Sequence, residues 1–304
     1  MSIETSVQSY VALKHGLGYQ FADQEYMLRK YAVFADAASE KHISAARMIA
    51  WAATAPSTQR SREWLRVARH FAISMHAEDD RHEVPPRDVF GKAKRCRPSP
   101  QILAVTDIEQ IMQAALSLPP IASITPYTYR YLIGLLACTG MRVSEAVGLL
   151  QTDMTVDGLM IRETKFHKTR LVPIEASTRK ALMAYLALRR RIGGRDPHLF
   201  VVSTGEPPDR ASVTRAFAKL ARQVGVRGMK GRGPRLHDLR HGFAIRSLEQ
   251  CGSGSAAINR HILALSTYLG HACLSDTYWY LEATPVLTRQ IAAAAEDFRQ
   301  GGAK

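Results

Sequence analysis

The stretch MTVDGLMIRETKFHKTRLVPI, residues 154–174, carries the clearest strand pattern in a chain whose sequence otherwise favours helices. Apolar and polar residues alternate around Asp157-Gly158, a pair that favours a two-residue hairpin turn. A second turn is expected near Phe166-His167, so the stretch predicts three short antiparallel strands. The sequence therefore indicates a mainly α fold with a small antiparallel β-sheet (α+β).

Helices are predicted on both sides of this stretch from apolar residues spaced three and four positions apart. Residues 1–80 contain four such patterns, which indicates a small helical domain: Ser2–Leu17, Phe21–Ala38, Ala45–Ala53 and Thr58–Ala77. Downstream, Thr106-Asp-Ile-Glu109 has the pattern of a capping box that opens a helix to about Leu118. Further helices are expected at Pro126–Cys138, Ser177–Arg191, Ser212–Val224 and in segments after Leu236.

Residues 81–103 are predicted to link the helical domain to a second domain over residues 104–304. The segment DDRHEVPPRDVFGKAKRCRPSPQ, residues 79–101, contains four prolines, which restrict the backbone and lack an amide donor. It also contains a cluster of basic residues: Arg87, Lys92, Lys94, Arg95 and Arg97. Composition alone fits a solvated tether and a surface that contacts a polyanion equally well.

The charge of the chain restricts its partners. Its 304 residues include 41 Lys and Arg against 27 Asp and Glu, a net charge of +14. Such an excess indicates a nucleic acid or an anionic membrane surface. A membrane is disfavoured, because no stretch approaches the ~18 uninterrupted apolar residues of a spanning helix. The N-terminus also lacks a signal-peptide pattern. We expect a cytoplasmic, nucleoid-associated protein.

Cysteine and histidine spacing predicts neither a disulfide framework nor a structural metal. The four cysteines form no C-x-x-C pair and are sparse for a chain of this length: Cys96, Cys138, Cys251 and Cys273. We therefore expect a reduced protein that needs no metal or other cofactor.

The first candidate for chemistry is Arg142, in TGMRVSEAVGL, residues 139–149. Gly140 can end the preceding helix, which leaves Arg142 at the start of the next one. A helix start favours an anion over a cation. Arg142 therefore either faces a bound anion or pairs with Glu145.

The second candidate is the stretch RLHDLRHGFA, residues 235–244. On a helix, His237 and Arg240 share a face, and His241 can join them because it lies four residues from His237. The positive charge of an arginine disfavours protonation of a neighbouring imidazole. This arrangement suits either a proton acceptor or a phosphate clamp.

The third candidate is LGHACLSDTYWYLEA, residues 269–283, which combines His271 with two tyrosines. The aromatic residues fit either an ordinary core or a reactive hydroxyl served by His271. Together with a lysine on the hairpin, the three stretches supply two arginines, two histidines and a tyrosine. A phosphodiester attacked without a metal needs fixed positive donors, a nucleophile and an acid for the leaving oxygen.

The order of these residues, R…K…H-x-x-R…[HW]…Y, resembles the tyrosine recombinase (phage integrase) family. The similar text is TGMRVSEA, TKFHKTRLVPI, HDLRHGFA and LGH followed by Tyr280, over about residues 104–285. The tail DTYWYLEATPVL resembles the subgroup carried on transposons. The resemblance implies an N-terminal helical core-binding domain and a C-terminal integrase-type catalytic domain that ends in a tail helix.

The resemblance also implies the reaction, which is site-specific DNA cleavage and rejoining without metal or ATP. Arg142 and Arg240 would clamp the scissile phosphate, and Tyr280 would attack it to give a 3′-phosphotyrosyl link. Residues two apart on a helix point roughly 200° from each other, so Tyr278 and Tyr280 cannot both reach the same phosphate. The family spacing from the histidine to the nucleophile matches the interval from His271 to Tyr280, which selects Tyr280.

The remaining roles implied by the resemblance concern protons and support. Lys165 would be the general acid for the 5′-oxygen, with Lys168 as its rival. His237 would assist proton transfer, His271 would bond the phosphate, and Glu145 would support Arg142. DNA contacts are expected from basic residues of the linker and of the second domain: Lys92, Lys94, Arg95, Arg97, Lys230, Arg232 and Arg235.

Double-stranded DNA sites are the expected partner. The protein is expected to be largely monomeric when free and to form a homotetramer on synapsed DNA. A second recombinase or an accessory protein is a further expected partner.

Gly242 departs from the family pattern, which has Thr or Ser there. Two alternatives share parts of the pattern. A type IB topoisomerase-like enzyme would use the same chemistry, and a DNA-binding protein with a decayed site would have lost it.

Overall fold

The structure, a computed structural model, describes residues 2–92, 100–162, 169–192, 196–228, 233–251, 255–271 and 273–282. It divides into two compact units, Met1–Arg97 and Pro98–Lys304. Within these ranges helices dominate and two short strands pair antiparallel, so the predicted mainly α fold with a small sheet is confirmed. The described helices include none that is long and apolar enough to cross a membrane.

The first unit is built from four helices around an aromatic core. The hydroxyl of Ser2 accepts a hydrogen bond from the Thr5 amide at 3.2 Å and so caps the first helix. The rings of Trp51 and Trp64 stack with their centroids 4.9 Å apart, which joins the last two helices. The helices are α1 (Ile3–Gly16), α2 (Ala22–Asp36), α3 (Ala45–Ala53) and α4 (Thr58–Glu78).

The chain after α4 has no helix or strand up to residue 92, yet it packs on the first unit. Arg62 donates from Nε to the carbonyl of Phe90 at 3.0 Å, and Arg69 donates to the carbonyl of Pro85 at 2.9 Å. The early part of the predicted linker is therefore held by side chains of α4 rather than being a free tether. Lys92 lies at the exposed end of this segment.

The second unit surrounds the buried helix α6 (Thr125–Thr139). Leu132 and Ile133 of α6 are fully buried, as its apolar sequence predicts. The apolar run after His198 also enters this core. The other helices of the unit are α5 (Val105–Ala114), α7 (Val143–Val147), α8 (Ala176–Ile192), α9 (Arg210–Gln223), α10 (Asp238–Glu249), α11 (Ser255–Leu269) and α12 (Ser275–Glu282).

Helix α5 begins two residues earlier than the predicted capping box implies, at Val105. Its N-cap is Ala104, whose amide donates to the carboxylate of Asp107 at 3.1 Å. The prediction of a box between Thr106 and Glu109 is therefore wrong, because Asp107 already satisfies the exposed amide at the true helix start. The helix also ends at Ala114, and a 3-10 turn over Ala115–Ser117 continues it.

The described sheet has two strands, β1 (Leu159–Ile161) and β2 (Arg170–Val172), which pair Ile161 with Arg170. The strand predicted before the Asp157-Gly158 turn is not formed, so the prediction of three strands is wrong. A single bridge between Met154 and Leu159 takes its place. The turn before β1 requires Gly158, because a Cβ there would lie 2.3 Å from the carbonyl oxygen of Val172. The second predicted turn falls in residues 163–168, which lie outside the described residues.

A separate apolar cluster joins the last three helices. It contains residues of α10, α11 and α12: Ala244, Ile245, Leu248, Ile262, Leu265, Leu269 and Tyr280. Packing of this cluster holds α12 against α10 and the end of α11. The candidate nucleophile therefore sits on a helix whose position depends on its neighbours.

A buried hydroxyl pair in the main core provides a test of the fold. The Tyr185 hydroxyl lies 2.9 Å from Thr128 Oγ1 and accepts from the Val201 amide at 3.3 Å. Tyr185→Phe should lower the free energy of unfolding by about 1–3 kcal/mol, because these buried groups lose a partner. Equilibrium urea unfolding of the full chain measures the change.

The matched control is Tyr127→Phe, at a tyrosine that is 36% exposed. This substitution should change the free energy of unfolding by no more than about 0.5 kcal/mol. Equal effects of the two substitutions would contradict the assigned role of the Tyr185 hydroxyl.

Candidate active site

Arg142 occupies the N-cap of α7, two residues after the left-handed Gly140 that ends α6. Its amide donates to Glu145 Oε2 at 2.9 Å, and its Nη1 donates to Glu145 Oε1 at 2.8 Å. The carboxylate thus caps the exposed amide of α7 and balances the guanidinium. An arginine can therefore stand at this helix start despite the unfavourable dipole.

Glu145 is shared between Arg142 and Arg170, the first residue of β2. Arg170 binds both carboxylate oxygens, with Nη1–Oε1 at 3.1 Å and Nη2–Oε2 at 2.8 Å. Burial raises the pKa of Glu145, but the hydrogen bonds and charges of the two arginines outweigh it, so the pKa is lowered overall. Arg170 was not predicted as a site residue, although it belongs to the R-L-V-P part of the family motif.

Three consecutive carbonyls at the end of α11 each accept a hydrogen bond from a different arginine. Arg170 Nε lies 2.9 Å from the Tyr268 oxygen, Arg240 Nη2 lies 2.8 Å from the Leu269 oxygen, and Arg142 Nη2 lies 3.0 Å from the Gly270 oxygen. The last carbonyls of a helix lack helical partners and carry negative partial charge, which favours cations. The arginines thereby fix the backbone that leads to His271.

Arg240 of α10 is 3% exposed and reaches two segments of backbone. In addition to Leu269, its Nη1 donates to the carbonyl of Gly140 at 2.6 Å. Burial and then the positive charge of Arg142 lower the pKa of Arg240 to about 10. The guanidinium therefore remains protonated at neutral pH while it is largely removed from water.

His271 follows the arginine-bound carbonyls and turns toward α12. Its Nδ1 lies 2.7 Å from Oγ1 of the buried Thr277. Burial, followed by the charges of Arg240 and Arg142, lowers the pKa of His271 to about 4. The ring is therefore neutral at neutral pH and its orientation is set by Thr277.

His237 stands at the N-cap of α10 and remains open to solvent. Partial desolvation and the neighbouring Arg240 lower its pKa below the ordinary value. Its ring meets that of His241 edge to face, with centroids 4.6 Å apart. The sequence placed these two histidines on one helix face, and the structure agrees.

Tyr280 lies on α12 and is 2% exposed. Its hydroxyl is 3.0 Å from His241 Nδ1, and its ring stacks on His271 with centroids 6.2 Å apart. Burial raises the pKa of Tyr280, while the charge and hydrogen bonding of Arg240 act in the opposite direction. The phenol is therefore a buried, protonated group at the centre of the candidate site.

The structure thus brings five predicted catalytic residues to one place, together with Glu145: Arg142, His237, Arg240, His271 and Tyr280. Lys165 and Lys168 lie outside the described residues. Among the groups that the structure describes, no set of three or more His, Cys, Asp or Glu side chains could hold a metal ion.

Most of the predicted DNA contacts fall outside the described residues: Lys94, Arg95, Arg97, Lys230 and Arg232. Arg235 is described, and its Nη2 donates to the buried carboxylate of Asp238 at 2.9 Å. Part of the positive charge of Arg235 is therefore neutralised at the start of α10.

Comparison with known proteins identifies this arrangement. The sequence model of the phage integrase family matches residues 101–285. The chain belongs to this family. The integrase/recombinase y4rB of Sinorhizobium fredii is 37% identical to this recombinase over 298 residues, which cover 94% of each chain. The tyrosine recombinase XerD of Brucella suis biovar 1 is 31% identical over 247 residues, 74% of this recombinase and 72% of XerD.

Solved structures of tyrosine recombinases share the fold. A lambda integrase dimer bound to a COC′ core site aligns with a TM-score of 0.67 and 17% identity, covering 92% of this recombinase and 77% of that chain. XerH in a post-cleavage complex with a palindromic difH substrate gives a TM-score of 0.65 and 18% identity, covering 90% and 79%. The family and the fold together make this chain a tyrosine-type site-specific recombinase.

Two partly buried histidines predict how stability depends on pH. His241 and His271 both have a pKa lowered from 6.5 to about 4, mainly by burial. Between pH 4 and pH 6.5 these histidines are protonated in the unfolded chain but neutral in the folded chain. The free energy of unfolding should therefore fall as pH drops from about 6.5 to 4. Each histidine contributes up to about 1.4 kcal/mol per pH unit, an upper bound because both rings keep some solvent contact.

Replacing both histidines with glutamine should flatten this pH dependence. Urea unfolding of the wild type and of the His241→Gln, His271→Gln double variant at pH 7, 6 and 5 measures it. The double variant should lose less stability between pH 7 and pH 5 than the wild type. An unchanged slope would contradict the assignment of the acid sensitivity to these two rings.

Proposed function

We propose that this recombinase cuts and rejoins DNA through a 3′-phosphotyrosyl intermediate formed on Tyr280. The observation that carries the proposal is the placement of the Tyr280 phenol beside Arg240, His241 and His271 in one partly desolvated site. The attack joins the phenolic oxygen to phosphorus and releases the 5′-oxygen of the next nucleotide. Because the phosphotyrosyl bond keeps the energy of the broken diester, rejoining needs no ATP.

Arg142 and Arg240 are proposed to bind the non-bridging oxygens of the scissile phosphate. Guanidinium donors suit this task because they are planar, always charged and held in place before the substrate arrives. Here both groups are anchored by backbone carbonyls and, for Arg142, by Glu145. The charge of Arg240 is also largely desolvated, which strengthens its interaction with an anion.

Proton transfer to the leaving 5′-oxygen is assigned to Lys165, with His237 in support. The segment that carries Lys165 leaves β1 after Ile161 and returns to β2 at Arg170, and these two residues are paired. Arg170 in turn contacts Glu145 and the end of α11. The ends of the lysine-bearing segment are thus close to the arginine cluster, which supports a role for that lysine in the same site.

The substrate proposed for this recombinase is a pair of duplex DNA sites on a mobile element. Tyrosine recombinases of this fold have been captured as a lambda integrase dimer on a core site, as a lambda integrase tetramer on a Holliday junction and as XerH on difH. By analogy, we propose a homotetramer on synapsed sites and a largely monomeric free protein. The net charge of +14 supports the electrostatic part of DNA binding.

Covalent capture tests the nucleophile. Wild-type protein is incubated with a library of nicked duplexes of randomised sequence, and the captured DNA defines a substrate. Tyr280→Phe should give no covalent complex on that substrate, because it removes the attacking oxygen with little change in shape. The matched variant Tyr278→Phe should still form the complex. Capture of DNA by Tyr280→Phe would refute the assignment, and peptide mapping would then locate the bond.

Removal of either clamp arginine should separate cleavage from binding. Arg142→Ala and Arg240→Ala should each raise the barrier to cleavage by about 3–4 kcal/mol or more, as expected for loss of a preorganised donor to the transition state. DNA affinity should fall only slightly, because many other basic residues share it. Single-turnover cleavage and a gel-shift titration on the captured substrate measure the two effects.

The control for the clamp arginines is Arg130→Ala. The Arg130 side chain donates to Gln113 on the surface of the same unit, so its loss should leave cleavage near the wild-type rate. A clamp variant that cleaves as fast as this control would remove that arginine from the proposed site.

A further inference from the structure

The nucleophile of this site is buried, so its proton needs a defined acceptor. Tyr280 is 2% exposed, and burial raises its pKa above that of a free phenol. At neutral pH the hydroxyl is therefore protonated, and a protonated phenol is a poor nucleophile. Attack on phosphorus requires a group within hydrogen-bond reach that takes the proton.

His241 is within that reach. Its Nδ1 lies 3.0 Å from the Tyr280 hydroxyl, and the two ring centroids are 5.4 Å apart. Arg240 also hydrogen-bonds the phenol, and a guanidinium can only donate. The phenolic oxygen therefore accepts from Arg240 and can direct its own hydrogen toward Nδ1 of His241.

The surroundings of His241 keep its ring neutral. Burial is the main cause of a pKa lowered to about 4, and the charge of His237 adds to it. Arg235 and Arg240 act in the same direction, whereas Asp238 opposes them. Across the helix interface His241 faces Tyr280 of α12, and the charge of Asp276 on α12 raises the pKa of that tyrosine. A neutral imidazole retains one nitrogen that can accept a proton.

We propose that His241 is the catalytic base of this recombinase, holding the Tyr280 hydroxyl in line and accepting its proton during attack. The inference rests on the proposed role of Tyr280. In the step, the O–H bond of Tyr280 breaks and the proton moves to Nδ1. The phenolic oxygen forms a bond to phosphorus, and the bond from phosphorus to the 5′-oxygen breaks. That oxygen takes its proton from the separate acid assigned to Lys165.

The approach of the substrate strengthens this base. A phosphodiester bound by Arg142 and Arg240 brings negative charge beside the histidines, and a nearby negative charge raises the pKa of an imidazole. His241 therefore becomes a better acceptor when DNA is present. The exposed ring of His237 lies edge to face with that of His241.

The test is His241→Asn in the full-length protein, on the duplex selected by covalent capture with the wild type. Asparagine can still hydrogen-bond the phenol but cannot accept its proton. Single-turnover cleavage at saturating protein should fall about 10²–10⁴-fold, the usual contribution of general base catalysis, while DNA affinity stays within twofold. The matched control is His261→Asn, an imidazole on α11 that bonds Ser247, which should cleave near the wild-type rate.

A change in phenol acidity separates proton acceptance from a purely structural role. Position 280 is filled with a fluorinated tyrosine, whose phenol loses its proton more readily. Fluorination should speed cleavage by the His241→Asn protein by a larger factor than cleavage by the wild type, because only the variant lacks the acceptor. An equal effect in both proteins would overturn the proposal, and so would wild-type cleavage by His241→Asn.

Failure of the inference and failure of the proposed function give different results. If the wild type captures DNA, Tyr280→Phe does not, and His241→Asn cleaves normally, only the role of His241 is refuted. If Tyr280→Phe still forms a covalent complex, the nucleophile itself is wrongly assigned. Should His241→Asn fail to fold, as judged by circular dichroism, His241→Gln carries the same measurements.

Discussion

The end of helix α11 is held by three guanidinium groups, and the rest of the site depends on that contact. Arg170, Arg240 and Arg142 take the carbonyls of residues 268, 269 and 270 in order. Each arginine comes from a different part of the chain, namely β2, α10 and the start of α7. One helix end thereby joins the segments that carry the proposed phosphate ligands, and it positions His271 and the helix that follows.

Such a concentration of positive charge is stable because part of it is neutralised. Glu145 supplies one buried carboxylate to Arg142 and Arg170, and the helix carbonyls supply partial negative charge to all three arginines. Burial and neighbouring cations lower the pKa values of Arg240 and His271, whereas the pKa of Glu145 is lowered by its arginine partners in spite of burial. A phosphodiester is the group that would relieve this imbalance.

The helices follow from local spacing in the sequence, and the residues gathered around Tyr280 follow from short motifs and from their resemblance to the family. His237 and His241 lie one helical turn apart, and the apolar stripe of α6 is visible in its letters. Arg170 could not be found that way, because its partners Glu145 and Tyr268 are 25 and 98 residues distant. The start of α5 was misplaced for a local reason, since Asp107 and Glu109 compete as caps and only the packed helix selects one.

Gly270 limits how far this site can vary. It adopts a left-handed backbone with φ of +66°, and a Cβ there would lie 2.7 Å from Nη1 of Arg170. Any side chain would strain the turn and also push Arg170 from Glu145. A laboratory that redirects this recombinase to new DNA by random mutagenesis should therefore find residue 270 intolerant of exchange. Diversity is better placed on surfaces that leave the arginine-bound helix end untouched.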